Sequence, residues 1–273
     1  MTDKQRKRDS STNRYARIIE KIFFSHYRAG AEQFDFSREY IVKVAKELGI
    51  KLPKNLGDVI YSFRYRTALP ATVREKAPPG KEWIIRPAGR AKYRFVAAAI
   101  STITPSQNLA ETKVPNATPG IIAMYALSDE QALLAKLRYN RLLDIFTGVT
   151  CYSLQSHLRT SVKGVGQIET DEMYIGVDKR GAHYVFPVQA KGAKDRISIV
   201  QIEQDSAMCA SKFPNLICRP IAAQFITEEL IALIEFERHA SGMRVSGERH
   251  YRLVDPEEID RSDLEAYQRR AET

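Results

Sequence analysis

The sequence predicts a mixed α/β (α+β) protein with two domains, a small basic one followed by a larger one. Helical and strand-like periods alternate along 273 residues, a length that suits one large domain or two modest ones. Residues 1–100 hold 22 Lys and Arg against 10 Asp and Glu, a net charge of +12, whereas the remainder carries −3. Residues 101–120 are rich in Thr, Asn and Pro, which predicts a linker between the two parts.

The composition excludes several classes of protein. Hydrophobic residues make up 44% and charged residues 27%, an ordinary globular balance. No apolar run reaches about 18 residues, so we expect no membrane-spanning helix, and the polar, basic first residues do not resemble a secretory signal. Three widely spaced cysteines (Cys151, Cys209 and Cys218) argue against a zinc ribbon or a disulfide framework. We therefore expect a reducing, cytoplasmic location.

The basic region predicts a disordered tail, residues 1–12, and a domain over residues 13–100. Apolar residues at helical spacing, with Ser37 as a cap and Gly49 as a stop, predict three helices. These helices cover residues 13–28, 37–49 and 54–66. A Pro-Pro-Gly breaker precedes two strand-like runs, which pair around a turn at residues 87–90. These runs cover residues 82–86 and 92–96.

Three helices followed by a basic hairpin resemble a winged-helix domain over about residues 12–98. That family places its third helix in the major groove and its hairpin on the backbone or minor groove. The resemblance implies double-stranded DNA as a partner, although charge alone does not distinguish DNA from RNA. The residues expected to neutralise phosphates are Lys54, Arg64, Arg66, Arg90, Lys92 and Arg94. The alternative is a small module that packs on the second domain for stability alone.

The second domain, residues 121–273, begins with a predicted long helix at residues 128–146. Period-2 patterns then predict three strands, and a helix and two further strands follow. These elements cover residues 151–162, 167–177, 183–191, 197–213, 216–225 and 230–236. The charged tail, residues 255–273, is expected to be a surface helix.

Two of these strands carry the most informative residues of the chain. Residues two apart on a strand share a face, so Glu169 lies with Asp171, and Gln189 lies with Lys191. If the strands pair as a hairpin, two carboxylates, an amide and an ammonium converge. Such a group can hold a divalent metal and position a water against a phosphodiester. The alternative is a cross-strand ion pair without a function.

The order helix, three strands, helix, strand resembles the core of the PD-(D/E)XK superfamily of restriction-endonuclease-like proteins, over about residues 128–237. That family has an Asp in the second core strand, often with a Glu two residues earlier, and a (D/E)-x-K triplet near the end of the third. Glu169-Thr170-Asp171 and Gln189-Ala190-Lys191 resemble these motifs. The resemblance implies a core sheet flanked by helices and hydrolysis of phosphodiester bonds in DNA.

Each residue of the predicted site has an expected role. Mg²⁺, or Mn²⁺ in its place, would be held by Asp171, the Gln189 amide oxygen, the Ala190 backbone carbonyl and Glu169. Lys191 would position the attacking water and stabilise charge on the phosphate. The family has an acid where this chain has Gln189, and an amide is a weaker ligand than a carboxylate.

Less specific candidates lie on the flanking helices. Glu130 and Asn140 on the first core helix, and Gln201 and Gln204 on the next, could flank the metal or the DNA. Glu172 and Asp178 are interpreted as surface groups.

The leading hypothesis is a metal-dependent DNA endonuclease, most naturally a type II restriction enzyme. A double-strand cut at a palindrome needs two active sites, so we expect a homodimer. One alternative is a non-catalytic DNA-binding regulator with a degenerate nuclease fold, which the Gln189 substitution favours. The other is a structure-specific or host-defence nuclease.

Overall fold

The computed structural model describes residues 3–65, 67–99, 102–126, 129–239 and 242–270, with side chains described from Arg14 onward. The chain divides into two compact units. The first contains residues 1–103 with two short pieces, 161–166 and 198–200, and the second contains the remainder.

In its described residues, the first unit combines four helices with a three-stranded antiparallel sheet of order β1-β3-β2. Its helices are α1 (Asp3–His26), α2 (Arg38–Glu47), α3 (Gly57–Tyr65) and α4 (Ala71–Arg74). Its strands are β1 (Gln33–Ser37), β2 (Glu82–Pro87) and β3 (Lys92–Ala98), with a short β4 (Thr102–Ile103) at its end. The predicted cap is confirmed, because the Tyr40 backbone N–H donates to the Ser37 hydroxyl at 3.2 Å.

Two features of this unit differ from the prediction. Helix α1 begins at Asp3, so the tail predicted to be disordered over residues 1–12 is helical from that residue. The sequence of α1 contains no Gly or Pro and has many good helix formers, so nothing stops the helix before its apolar stripe. Strand β1 was not predicted, because five residues with two aromatics give too short an alternation to recognise.

The core of the first unit is aromatic. Among the described residues the Phe23 ring lies against five other rings, including Phe34 at a centroid distance of 5.3 Å and Trp83 and Phe95 at 5.2 Å. Because Phe23 is on α1 while Trp83 and Phe95 are on β2 and β3, this cluster fixes the helix against the sheet.

The second unit is built on a mixed eight-stranded sheet flanked by helices. Its helices are α5 (Gly120–Tyr125), α6 (Asp129–Tyr139), α7 (Leu142–Thr147), α8 (Ile199–Lys212) and α9 (Arg261–Arg269). Its strands are β5 (Glu111–Pro115), β6 (Thr150–Val162), β7 (Gly166–Val177), β8 (His183–Lys191), β9 (Ile197–Ser198), β10 (Ile217–Cys218), β11 (Ile221–Phe225), β12 (Leu230–His239) and β13 (Gly242–Val254). The mixed α/β class is therefore confirmed.

The sheet runs in the order β5-β13-β12-β11-β8-β7-β6, with β10 also beside β8. Strand β8 pairs in parallel with β11 and antiparallel with β7, so it lies near the middle of the sheet. Leu133, Leu134 and Leu137 of α6 pack into a common core with Phe186 and Val188 of β8. This packing fixes the first turn of α6 relative to the end of β8.

Several predicted boundaries in this unit were wrong. The predicted linker contains β5, which pairs with β13. Strand β13 itself was not predicted, because charged residues interrupt its apolar pattern in the sequence. The predicted helix 128–146 is two helices, because Arg141 adopts a left-handed φ of 52° between α6 and α7; residue 128 itself is outside the described residues. The predicted strand 216–225 is two strands, since Pro220 interrupts it. In the described part of the chain, no helix is both long and apolar enough to cross a membrane.

Candidate catalytic and metal site at the end of strands β7 and β8

The predicted site lies where main-chain pairing between β7 and β8 ends. That pairing runs from Val177 opposite His183 to Glu172 opposite Val188. Beyond this point, the hydrogen bonds between the two strands involve side chains. The Ala190 backbone N–H donates to Asp171 Oδ2 at 2.8 Å, and Gln189 Nε2 donates to the Glu169 carbonyl oxygen at 3.1 Å. The Asp171 carboxylate is thereby held between the two strands.

Lys191 and Asp171 come together as predicted, and Glu130 joins them. Lys191 Nζ lies 2.6 Å from Glu130 Oε1 and 3.6 Å from Asp171 Oδ2. The side chains of Lys191 and Asp171 are only 15% and 12% exposed. Glu130 is in the first turn of α6, so the packing of α6 against β8 brings its carboxylate to the site.

The electrostatics of this group keep Lys191 charged. Burial disfavours its ammonium ion, but the carboxylates of Asp171, Glu130 and Asp195 outweigh that effect and hold the pKa of Lys191 above its usual value. Burial raises the pKa of Asp171, while Lys191 and the Ala190 N–H oppose the rise. A protonated Lys191 can orient a water or stabilise an anionic oxygen, but it cannot accept a proton.

Gln189 points into a second, buried polar cluster. Its Nε2 donates to Asp205 Oδ2 at 2.8 Å, and its Oε1 accepts from Gln201 Nε2 at 3.0 Å. Asp205 Oδ1 also accepts from the Thr170 hydroxyl at 2.5 Å. Asp205 is fully buried, which raises its pKa to about 7. The side-chain oxygen of Gln189 therefore already accepts a hydrogen bond from Gln201, and it would have to lose that bond to bind a cation.

Glu169 does not face the same way as Asp171. It is half exposed and forms an ion pair with Arg159 on β6, where Arg159 Nη2 lies 2.9 Å from Glu169 Oε1. Regular alternation along the strand predicts both carboxylates on one face, but the Glu169 carboxylate lies exposed beside Arg159 while that of Asp171 is buried beside Lys191.

The interpretation of Glu172 as a surface group was wrong. Glu172 is fully buried, and its Oε1 accepts from Arg138 Nη2 at 2.6 Å and from the Ser153 hydroxyl at 2.5 Å. Asp205 was missed altogether, because an acid on an amphipathic helix usually faces solvent. The sequence did contain a signal. Apolar residues occur on all faces of α8, which indicates a helix that is buried nearly all round.

The flanking candidates take different roles. Gln201 is bonded to Gln189, as described above. Asn140 is 5% exposed, and its side chain accepts from the Ala117 N–H at 2.6 Å and donates to the Thr118 hydroxyl at 2.8 Å. Asn140 thus holds a loop and does not reach the site.

The predicted DNA-binding residues fall into two groups. Lys54, Arg90 and Lys92 are exposed, the first just before α3 and the other two at the β2–β3 turn. Arg64 Nε donates to the Ile85 carbonyl oxygen at 3.2 Å, and Arg94 makes two hydrogen bonds to the Asp35 carboxylate, at 2.5 and 2.9 Å. Arg66 lies outside the described residues.

The donor set suits a magnesium ion that keeps much of its water. Over the described ranges of the chain, no group of three or more His, Cys, Asp and Glu side chains is arranged to hold a metal. Two carboxylates, Asp171 and Glu130, both approach Lys191 Nζ within 3.6 Å. Mg²⁺ in phosphoryl-transfer sites is commonly bound through one or two carboxylates, with water and substrate phosphate completing its octahedron. The two carboxylates are thus of the ligand type that Mg²⁺ and Mn²⁺ prefer, but here both lie against the Lys191 ammonium group.

Comparisons with known proteins identify no relative of this chain. No family model matches it, and neither the curated proteins nor the solved structures searched contain a match.

Proposed function

We propose that this protein is a metal-dependent DNA endonuclease. The observation that carries the proposal is the convergence of Lys191, Asp171 and Glu130 where the pairing of two core strands ends. Two buried or half-buried carboxylates beside one ammonium group are the groups needed to hold a divalent cation and an anionic phosphate together. This geometry supports the PD-(D/E)XK resemblance of the sequence, with Glu130 in place of Glu169 as the second acid.

Each residue of the site has its own role in the proposed hydrolysis of a phosphodiester. Asp171 and Glu130 would hold Mg²⁺, which when bound lowers the pKa of a water and polarises the phosphate. Lys191, kept protonated by its acidic neighbours, donates hydrogen bonds to the water or to a phosphate oxygen and stabilises the charge that builds there. The Ala190 N–H fixes the orientation of the Asp171 carboxylate.

The first unit supplies the features expected of a DNA-binding domain. Its order of a long helix, a strand, two shorter helices, the four-residue α4 and a two-stranded hairpin, with β1, β2 and β3 in one antiparallel sheet, supports the winged-helix resemblance. Arg90 and Lys92 are exposed at the hairpin turn, where that family contacts the backbone. Binding through such residues weakens as salt rises.

Cleavage of supercoiled plasmid and genomic DNA in Mg²⁺ or Mn²⁺ tests the proposal. We expect Asp171→Asn and Lys191→Met each to lower the rate by at least about 100-fold, since each removes charge stabilisation at the phosphate. The matched control is Glu257→Gln, an exposed carboxylate in the turn after β13, which should cleave like the wild type. Full activity in both site variants would overturn the assignment.

We further propose that the enzyme cuts both strands as a homodimer, in the manner of a type II restriction enzyme. A two-fold dimer presents two sites to a palindrome. Linear plasmid should then form without a long-lived nicked intermediate, and the protein should elute at twice the chain mass. A monomer that only nicks would favour the structure-specific alternative.

A second candidate function is DNA binding without cleavage. The engaged Gln189 oxygen favours it, because this residue replaces the acid of the family and points to Gln201. The discriminating result is salt-sensitive binding of duplex DNA with no nicking in either Mg²⁺ or Mn²⁺.

A further inference from the structure

A fully buried carboxylate joins the two strands that carry the proposed site. Asp205 on α8 is not one of the groups that would hold the metal or the phosphate, yet it is buried completely. Its Oδ1 accepts from the Thr170 hydroxyl at 2.5 Å, and its Oδ2 accepts from Gln189 Nε2 at 2.8 Å. Thr170 is on β7 and Gln189 is on β8, so this one side chain bridges the two strands.

The bridge is attached to each strand one residue before the site. Thr170 immediately precedes Asp171, and Gln189 immediately precedes Ala190, whose backbone N–H donates to Asp171 Oδ2 at 2.8 Å. The in-register pairing of β7 with β8 has already ended at this point. The hydrogen bond between Ala190 and Asp171 therefore depends on neighbouring side chains to keep the two strands at the required separation.

Helix α8 holds Gln189 by both polar atoms of its amide. Gln189 Oε1 accepts from Gln201 Nε2 at 3.0 Å, while its Nε2 donates to Asp205. Gln201 is four residues before Asp205, so both side chains lie on one face of α8. Because Gln189 is only 1% exposed and is held at both ends, its orientation is fixed by the helix.

We propose that Asp205 is a positioning residue for the site. By tying Thr170 to Gln189, it sets the separation of β7 and β8 next to Asp171 and so fixes the carboxylate that would hold the metal. Groups that orient a metal ligand without touching the metal are worth about 10- to 100-fold in metal affinity or activity. The catalytic consequence rests on the proposed function, whereas the effect on the hydrogen bond between Ala190 and Asp171 does not.

Three variants test the bridge. Thr170→Val keeps the shape of the side chain but cannot donate to Asp205, and Thr170→Ser, its matched control, keeps the hydroxyl group. Asp205→Asn retains only one side-chain acceptor atom, because its amide nitrogen is itself a donor, so it can satisfy Thr170 or Gln189 but not both. Circular dichroism checks that each variant folds.

Hydrogen exchange followed by nuclear magnetic resonance, on the full chain without metal or DNA, measures the bridge directly. In Thr170→Val and Asp205→Asn, exchange of the Ala190 amide should accelerate at least about tenfold more than exchange at Phe186, which lies in the paired part of β8. Thr170→Ser should resemble the wild type. A general loss of stability would instead accelerate both amides alike, so the ratio isolates the positioning effect.

The Mg²⁺ dependence of DNA cleavage tests the catalytic consequence. Thr170→Val and Asp205→Asn should need at least about tenfold more Mg²⁺ for half-maximal cleavage, because the Asp171 carboxylate is no longer held in place. The KM for DNA should not change, since no phosphate-binding residue is altered. Thr170→Ser should keep the Mg²⁺ dependence of the wild type.

Two results would overturn the positioning role. The first is exchange at Ala190 that accelerates no more than exchange at Phe186 in both bridge variants, whatever their activity. The second is an active wild type whose Mg²⁺ dependence is unchanged in Thr170→Val and Asp205→Asn. If the exchange results are as expected while the wild type cleaves no DNA, the nuclease proposal alone is wrong and Asp205 still fixes the Asp171 carboxylate.

Discussion

The two units of this protein bury different kinds of side chain. Among the described residues, every buried polar or charged side chain lies between Asn140 and His250, while the buried side chains of residues 14–99 are apolar or aromatic. The first unit thus keeps its charges on the surface, where they can meet a polyanion. The second unit holds Asp171, Glu172 and Asp205 inside, where each needs a partner because burial of an unpaired charge is costly. Within the described residues, buried polar groups therefore need partners in the second unit but hardly arise in residues 14–99.

The largest effect should come from the apolar core of the first unit. Phe23→Ala removes the buried ring on which five other aromatics pack, so the free energy of unfolding should fall by about 4 kcal/mol, the usual cost of deleting a buried Phe side chain. Urea denaturation measures it. The adjacent Phe24, which is 42% exposed, is the matched control, and Phe24→Ala should cost less than about 1 kcal/mol. Equal losses would show that the aromatic cluster does not hold this unit together.

In the second unit, two ion pairs on β7 should differ strongly in energy. Arg138→Met leaves the fully buried Glu172 carboxylate without its cation and should cost about 3 kcal/mol, since breaking a buried pair strands a charge. Arg159→Met breaks the exposed pair with Glu169 and should cost less than about 0.5 kcal/mol. Urea denaturation of both variants makes the comparison. Similar costs would mean that water reaches the Glu172 carboxylate when Arg138 is lost.

The buried Asp205 predicts a pH dependence of the opposite sign to that of an ordinary surface carboxylate. Its pKa is raised to about 7 by burial, whereas the unfolded chain restores a value near 4, so the folded state holds the extra proton between these values. Stability from this group is therefore greatest at low pH and is lost as pH rises toward 7. Between pH 5 and 8 the unfolding free energy should fall by about 2 kcal/mol from Asp205 alone.

Asp205→Asn isolates this contribution. Asparagine cannot ionise, so the fall between pH 5 and 8 should become shallower in the variant, even if the variant is less stable at every pH because its amide meets the Gln189 donor. Denaturation at a series of pH values gives both curves. Parallel curves for the wild type and the variant would show that Asp205 does not titrate in this range.

The sequence located many of the helices and strands and the Asp171–Lys191 pair for a clear physical reason. Strands β7 and β8 follow period-2 patterns, and Lys191 stood out because the end of a buried strand is a costly place for an unpaired charge, which Asp171 on the neighbouring strand could balance. Strands β5 and β13 were missed because polar residues alternate there without a continuous apolar face. The pairing of β5 with β13 joins strands that are far apart in the chain, so local sequence patterns do not reveal it.

The remainder of the site depends on tertiary geometry in the same way. Glu130 reaches Lys191 because α6 packs on β8, and Gln189 is hydrogen-bonded to Asp205 of α8, a residue 16 positions further along the chain. Sequence periodicity assigns a face to each residue but not the point at which two strands stop pairing. The same limit explains why the buried Glu172 and Asp205 were not identified as such.

The smallest effect concerns the cross-strand pair of Arg94 and Asp35 in the first unit. Both side chains are nearly half exposed, so Arg94→Gln should change the unfolding free energy by less than about 0.5 kcal/mol. Its effect on DNA affinity should also be small, because Asp35 already neutralises the guanidinium. Lys92→Gln, on the same strand, should reduce the slope of log affinity against log salt by about 1, the change expected for one lost phosphate contact.

Asp35→Asn reverses the argument, since it releases Arg94 to contact a phosphate and should steepen the same salt dependence. Fluorescence anisotropy with a short duplex at several salt concentrations measures all three variants. If Arg94→Gln weakens binding as much as Lys92→Gln, the ion pair with Asp35 opens on DNA, and the surface of the first unit is more adaptable than its rigid aromatic core implies.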